Sequence, residues 1–240
     1  MKTDITDSAV IFQHIPKTAG NTLLSVAANR FPGDKSFICG KDGVLNDFLS
    51  LPRNRLDSLG FLCGHVDYGI HEHIGRPCVY FAFLREPVDR VMSHYYFIRN
   101  SLRHRYREQA NAMGLPEFIE SGLRPRMNNC MVRMISGIDA AYGECGEEML
   151  DSALENLSRH YVFLGIIERF DESLAALSNL FGWPPANYQN RVVSVNRPAV
   201  SQAPAEDVRV IRKYNELDIR LYEKLKDSLP MTGGMNGLEL

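Results

Sequence analysis

The sequence contains few cysteines, and they follow no recognisable pattern. Its 240 residues include five cysteines, an odd number, and none lies in the CxxC or Cys/His spacing typical of a metal site. No apolar run approaches the roughly 18 residues that cross a bilayer, and residues 1–10 lack the apolar segment of an export signal. These absences predict a reduced, cytoplasmic protein without a bound metal or a membrane span, although a chain trimmed of a targeting or anchor segment would look the same.

Lysine is scarce compared with arginine. The 27 basic residues comprise 7 lysines and 20 arginines, although the formal net charge is only −2. This net charge gives no reason to expect nucleic acid as a partner. The excess of arginine nevertheless favours an anionic ligand, because a guanidinium group binds planar and tetrahedral anions with a fixed fork of donors.

The length of the chain and the order of its apolar segments indicate one α/β domain. At 27.2 kDa the chain can form one sizeable core. We expect a single domain over residues 1–240, with its core at about 9–228 and a frayed C-terminal tail. Apolar runs alternating with amphipathic segments predict four strands, at 9–15, 60–65, 78–84 and 161–167. A parallel sheet of this kind has helices on both faces and binds ligands at the carboxyl ends of its strands.

Helices are predicted between and after these strands, at 20–30, 88–109, 115–136, 147–159, 171–181 and 206–228. Asp171 is expected to cap the fifth of them. Between the last two helices, residues 182–205 form a polar, proline-rich segment. A loop of this length in a compact domain is usually functional or mobile.

A lysine and several small polar residues follow the first predicted strand, in IFQHIPKTAGNTL (residues 11–23). The turn between the strand and the next helix contains Lys17, Thr18, Gly20, Asn21 and Thr22. A helix N-terminus carries free amides and a partial positive charge, so this turn favours a phosphate- or sulfate-like group. It is not a Walker A loop, because GxxxxGK[ST] is absent and the lysine precedes the glycine. An ordinary turn with a surface lysine is the alternative.

The third predicted strand ends at a second group of polar side chains, in FAFLREPVDRVMSHYYF (residues 81–97). Arg85 lies at the strand end, and Ser93 lies about two turns into the following helix. If both strand ends bind anions, the ligand carries two separated phosphate-like groups. The alternative is a surface network of ion pairs among Arg85, Glu86, Asp89 and Arg90.

Three histidines follow the second predicted strand, in CGHVDYGIHEH (residues 63–73). His65 comes directly after the strand, at the edge of the sheet where the Lys17 turn is expected. A neutral imidazole there can accept a proton from a hydroxyl group. His71 is the rival candidate for this role, and His73 is expected to be exposed.

Five segments together resemble the sulfotransferases related to heparan sulfate 2-O-sulfotransferase and their bacterial relatives. In chain order these are HIPKTAGNTL, LCGHVDYGIH, FLREPVDRVMSHYYF, VFLGIIERFDESL and NRP. The similarity runs from about residue 10 to about residue 225, and the first and third segments are specific in combination. The resemblance implies a P-loop NTPase-like α/β sheet and 3′-phosphoadenosine 5′-phosphosulfate as the sulfuryl donor, with 3′,5′-adenosine bisphosphate as the product.

The resemblance also implies roles for individual residues. Lys17 and His65 would be catalytic, Lys17 on the leaving oxygen and His65 as the base. Arg85 and Ser93 would hold the 3′-phosphate, and Asn196 and Arg197 of NRP would close over the nucleotide. The group that holds the 5′-phosphosulfate would comprise Lys17, Thr18, Ala19, Gly20, Asn21 and Thr22. Asn21 departs from the family pattern, in which a small hydroxyl residue is usual at this position. The asparagine side chain can still form hydrogen bonds.

The acceptor and two other functions remain open at the level of sequence. The arginine-rich run RNSLRHRYRE (residues 99–108) could line a groove for an acidic glycan or be a solvated helix face. A neutral glycan, a small alcohol and a lipid-linked sugar are the other acceptors. A P-loop-like kinase is one rival function, although the chain lacks its GK[ST] loop. An inactive nucleotide- or glycan-binding relative is the other, and the sequence does not predict the oligomeric state.

Overall fold

The computed structural model describes residues 7–27, 30–39, 44–184 and 197–232. Within them, one six-stranded sheet has the order β2-β3-β1-β4-β5-β6. The strands are β1 (Ala9–Gln13), β2 (Ser36–Ile38), β3 (Phe61–Gly64), β4 (Cys78–Leu84), β5 (Tyr161–Ile166) and β6 (Met231–Thr232). The first five are parallel, and β6 pairs antiparallel with β5. The predicted P-loop-like α/β sheet is confirmed, and the two short edge strands, β2 and β6, extend it beyond the four predicted strands.

The strands form where apolar residues run without interruption. All five residues of β1 are buried, as are six of the seven residues of β4. Such continuous burial is typical of parallel strands that are covered on both faces. The sheet therefore forms the middle layer of the fold.

Eleven α-helices lie within the described residues and pack around this sheet. They are α1 (Gly20–Ala27), α2 (Val44–Leu49), α3 (Arg53–Asp57), α4 (Pro87–Asn100), α5 (Arg107–Ala112), α6 (Leu115–Glu120), α7 (Cys130–Ser136), α8 (Glu147–His160), α9 (Phe170–Phe181), α10 (Ala205–Tyr214) and α11 (Glu216–Leu225).

Apolar side chains cover both faces of the sheet, as predicted. On one face, α1 and α9 pack against a layer of phenylalanines that includes Phe12, Phe81 and Phe163. On the other face, α7, α8 and α11 cover side chains such as Ile11 and Tyr80. A third cluster joins α4, α5, α6 and α10 beside the sheet. No helix in the described part of the chain combines the length and hydropathy of a membrane span.

Three predicted helices are shorter than expected. The helix predicted at 88–109 ends at Asn100, and turns over residues 101–106 separate it from α5. The helix predicted at 115–136 is divided by a turn in which Gly122 has φ +66°. The helix predicted at 206–228 is interrupted at Asn215. The apolar spacing continues across each break, so the pattern alone predicted one helix.

Three further predictions concern the cap of α9, the proline-rich loop and the C-terminal tail. The prediction that Asp171 caps α9 is wrong, because that helix begins at Phe170 and Asp171 lies in its first turn. Half of the predicted proline-rich loop, residues 185–196, lies outside the described residues. The prediction of a frayed tail after residue 228 is wrong in part, because Met231–Thr232 form β6 and pair with β5. Residues 233–240 lie outside the described residues.

Candidate active site

Three of the predicted site residues meet at the carboxyl ends of neighbouring strands. Lys17 follows β1, His65 follows β3 and Arg85 follows β4, and β1 lies between the other two strands. Parallel strands all end at the same edge of a sheet, so the three residues share that edge. Arg85 Nη1 donates to the Lys17 carbonyl at 2.9 Å. The fold therefore brings three motifs that are distant in sequence into one place.

The turn after β1 has an uncommon backbone conformation. Lys17 has φ +73° and Ala19 has φ +56°, in the left-handed region that costs a non-glycine residue about 1–2 kcal/mol. The Thr18 hydroxyl is buried and donates to the Ile15 carbonyl at 2.8 Å. The Thr18 side chain thus builds the turn instead of facing a ligand. Strained backbone of this kind concentrates at functional sites.

Helix α1 begins directly after this turn. The amides of Thr22 and Leu23 donate to the Ala19 carbonyl at 3.0 and 3.1 Å, whereas the earliest amides of a helix have no helical acceptor. Asn21 is exposed and Thr22 is buried. Within the described residues of α1, the first turn has no acidic side chain. The N-terminus of α1 can therefore bind an anion through its backbone donors.

The Lys17 amine lies in a partly dry, cationic environment. Its Nζ atom lies 4.4 Å from the centre of the Phe97 ring in α4. Burial, followed by the charges of Arg85 and Arg197, lowers the pKa of Lys17 from 10.5 to about 8. A bound anion would favour the charged amine and oppose this shift. The electrostatics of the turn thus suit a negatively charged ligand.

One carboxylate binds two of the predicted arginines. Asp89, in the first turn of α4, accepts from Arg85 Nε at 2.8 Å and from Arg85 Nη2 at 2.5 Å. Its other oxygen accepts from Arg197, which also donates to the Asp89 carbonyl at 3.1 Å. An ion pair between Arg85 and Asp89, which the alternative interpretation of this motif expected, is therefore present. It leaves two guanidinium groups sharing one carboxylate, however, and so leaves a local excess of positive charge.

The other residues of this motif are divided between the site and the core. Ser93 is buried and lies one turn after Asp89, on the same side of α4. The Glu86 carboxylate caps α4 by accepting from two amides of its first turn at 2.6 and 3.1 Å. Arg90 is fully buried, and its guanidinium lies 3.7 Å from Asp218. Glu86 and Arg90 thus stabilise the fold.

The His65 ring keeps one nitrogen free of the protein backbone. Its Nδ1 lies 2.6 Å from the His14 carbonyl, which can only accept, so Nδ1 carries the proton and Nε2 is an acceptor. Burial of part of the ring lowers the pKa of His65 below 6.5, and Arg126 and Arg124 lower it as well. The bond to His14 and the Asp67 carboxylate act in the opposite direction. The neutral ring can therefore accept a proton near neutral pH.

The other two histidines lie away from this edge of the sheet. His71 Nδ1 lies 2.8 Å from the hydroxyl of Tyr80, and its ring centre lies 4.9 Å from that of His160. Tyr80 is in the amino half of β4, whereas Arg85 follows the carboxyl end of that strand. His73 is exposed, as predicted. Geometry thus favours His65 over His71 as a partner of the Lys17 turn.

Several residues at this edge were not predicted from sequence. Gln13, the last residue of β1, is buried and donates to the carbonyls of Val66 and Met134 at 3.2 and 2.7 Å. It thereby holds the segment that follows His65. The only signal in the sequence is a glutamine at the end of an apolar strand. His14, Asp89 and Phe97 were also missed as site residues, although each lies inside a motif that was recognised.

The cysteines take no part in this site. All five are free thiols, and burial raises the pKa of Cys39 to about 12. A protonated thiol is a poor nucleophile and a poor metal ligand. In the described ranges, no group of three or more His, Cys, Asp or Glu side chains is placed to hold a metal ion. Asn196 lies outside these ranges, next to the described Arg197.

Comparison with known proteins assigns the family. A model of the sulfotransferase family matches residues 4–224. The chain belongs to the sulfotransferase family. The resemblance inferred from the five segments is therefore confirmed, and it covers nearly all of the chain.

Individual sulfotransferases are similar to this chain at low identity. Heparan sulfate 2-O-sulfotransferase 1 of Xenopus laevis is 23% identical over 230 residues, which cover 85% of this chain and 65% of the relative. The Homo sapiens protein of the same name is 21% identical over 192 residues, which cover 71% and 54%. The chain thus spans between about half and two thirds of these relatives. A crystal structure of mouse sulfotransferase SULT7A1 complexed with PAP superposes with a TM-score of 0.41 at 15% identity, covering 75% of this chain and 61% of that one.

Proposed function

We propose that this chain transfers a sulfuryl group from 3′-phosphoadenosine 5′-phosphosulfate to a hydroxyl group of a carbohydrate. The proposal rests on one observation above all: Lys17, Arg85 and His65 meet at one edge of the sheet, with Arg85 donating to the Lys17 carbonyl. Family membership and the names of the relatives, which refer to a glycan, support the same reaction.

The residues of this edge suit a donor with two anionic ends. The Lys17 amine and the free amides at the start of α1 would hold the 5′-phosphosulfate. Arg85 and Arg197, which share the Asp89 carboxylate, would hold the 3′-phosphate together with Ser93. Asn196 is proposed as a further contact on the basis of the family resemblance alone. The Thr18 hydroxyl serves the turn itself, so we expect its backbone amide to be the part that faces the donor.

Two side chains would carry the chemistry. His65 Nε2 would take the proton of the acceptor hydroxyl as its oxygen attacks sulfur. The Lys17 amine would stabilise the negative charge that develops on the bridging oxygen as the bond from that oxygen to sulfur breaks. The sulfuryl group thus moves from one oxygen to another, and the proton ends on His65. The remaining residues align acceptor, sulfur and leaving oxygen, as in phosphoryl transfer.

The surroundings of His65 favour an acidic glycan over a neutral one. Arg124 and Arg126 both lie close enough to influence the His65 ring, and the buried Nε atom of Arg124 has no hydrogen-bond partner among the described residues. An anionic group next to the reacting hydroxyl would neutralise this charge. The helix that was predicted to carry the arginine-rich run ends at Asn100, so those arginines do not lie on one continuous helix face.

The function is tested by incubating the full chain with donor labelled in its sulfuryl group. We expect label to move to an acidic glycan, more slowly to a neutral one, and not to water at a comparable rate. Transfer of phosphate from ATP to the same acceptors would instead favour the hypothesis that the chain is a kinase. Binding of the donor with no transfer to any acceptor of a broad panel would favour an inactive binding protein.

Arg85→Ala is expected to remove most of the preference for a 3′-phosphorylated nucleotide. The wild-type protein should bind 3′,5′-adenosine bisphosphate more tightly than 5′-adenosine monophosphate, because Arg85 contributes charge-assisted bonds to the 3′-phosphate. Calorimetry with both nucleotides measures this difference, and Arg53→Ala, on the exposed side of α3, is the matched control. Equal affinity of the wild type for both nucleotides would contradict the assignment of Arg85 and Ser93.

A further inference from the structure

The His14 ring lies between the two halves of the proposed site. Its centre is 4.2 Å from the centre of the His65 ring, and the two planes are inclined by 35°. The Nε2 end of the ring packs directly on Gly20, the first residue of α1. A methyl group added to Gly20 would lie 1.7 Å from His14 Nε2. The ring thus fills the space between the proposed base and the helix proposed to hold the donor.

The backbone of His14 is tied to the same place. Its amide donates to the Gly64 carbonyl at 2.9 Å, which continues the pairing of β1 with β3 by one residue. Its carbonyl lies 2.6 Å from His65 Nδ1. Gly64 and His65 are consecutive, so the sheet fixes the His14 backbone against both of them. The histidine ring is therefore mounted on a rigid strand end and not on a flexible loop.

We propose that His14 is a positioning residue whose ring sets the spacing between His65 and the N-terminus of α1 and covers one face of the His65 ring. Its catalytic consequence rests on the proposed function, whereas the effect on His65 itself does not. A displacement of about 1 Å between reacting groups can cost about 10² in rate, so a spacer of this kind matters for turnover.

The electrostatics allow His14 to do this without competing for the acceptor's proton. Burial, and after it the charges of His65 and Lys17, lower the pKa of His14 from 6.5 to about 3. The ring therefore stays neutral at the pH values at which enzymes usually work. Burial is also the main reason that the pKa of His65 is low. The remaining charged groups that influence His65 are Arg124, Arg126 and Asp67.

The first test compares His65 in the wild type and in His14→Ala by NMR titration of the full chain with labelled histidine rings. We expect His65 to titrate at higher pH in the variant, closer to 6.5, because water then reaches the uncovered face of its ring. The pH at which kcat/KM falls on acidification should rise by the same amount, and kcat should fall by about 10² at most. His14→Phe keeps an aromatic cover and should leave the titration nearer to that of the wild type.

A second test uses the contact with Gly20. Gly20→Ala should displace the ring and by itself raise the pH at which His65 titrates. In the His14→Ala background the added methyl group meets no ring, so Gly20→Ala should change the titration little. A double-mutant cycle measures this coupling, and it remains informative if His14→Phe does not fold. His73→Ala, which removes an exposed histidine, should change none of these quantities.

The outcomes separate this inference from the proposed function. If His65 titrates identically in the wild type and in His14→Ala, the positioning role is wrong, even where sulfuryl transfer has been demonstrated. If the titration shifts but no acceptor is ever sulfated, the proposed function fails and the effect of His14 on His65 stands. An additive double-mutant cycle would show that the ring does not act through its contact with Gly20.

Discussion

His65→Ala is expected to lower turnover by about 10² to 10⁴, the range for a lost general base, while donor affinity stays near that of the wild type. The reason is the position of the ring. Its hydrogen bond runs to the His14 carbonyl, and the charged groups that influence its pKa are Arg124, Arg126 and Asp67, none of which is proposed to hold the donor. Turnover at saturating donor, together with calorimetry of 3′,5′-adenosine bisphosphate, measures the two effects separately.

His71→Ala is the matched control for this variant. His71 is bound to the Tyr80 hydroxyl in the amino half of β4, so its loss should leave turnover close to that of the wild type. If His71→Ala loses turnover and His65→Ala keeps it, the base has been misplaced by six residues. If both variants stay active, a histidine base is wrong, and a carboxylate base becomes the better hypothesis.

Lys17→Ala is expected to lower turnover by about 10² to 10³, the usual loss for one preorganised group that stabilises developing charge. Donor affinity should also fall, because the amine interacts with the phosphosulfate before the reaction as well as during it. Single-turnover rates and calorimetry distinguish the two contributions. Lys224→Ala removes an exposed lysine of α11 and should change neither. An unchanged rate in Lys17→Ala would rule out a role on the leaving oxygen.

The pH dependence gives an independent measure of Lys17. The amine must be charged to stabilise the leaving oxygen, and its pKa in the free protein is about 8. Wild-type kcat/KM for the donor should therefore fall as the pH rises above about 8, whereas kcat should fall only at higher pH, because the bound donor favours the charged amine. Lys17→Arg keeps its charge at high pH, so any activity that it retains should lack this alkaline limb.

The sequence by itself determined the four inner strands of the sheet and the edge at which the candidate site lies. Continuous apolar runs predicted β1, β3, β4 and β5, because a strand covered on both faces needs apolar side chains at every position. The residues after those runs, such as Lys17 and Arg85, must then lie at one edge, because parallel strands all end on the same side. The succession of apolar runs and polar residues along the chain was sufficient for these predictions.

Only the tertiary structure decided how the site residues are held and charged. The His65 proton is fixed on Nδ1 by a carbonyl 51 residues away, and the ion pair between Asp89 and Arg197 spans 108 residues. At the break between α10 and α11, the Asn215 side chain accepts from Arg90, which is 125 residues away. Periodicity reports which face of a segment is buried, not which polar groups meet there. The tautomer of His65, the ion pairs and the pKa of Lys17 depend on contacts between polar groups that are distant in sequence. Only the packing of the chain decides those contacts.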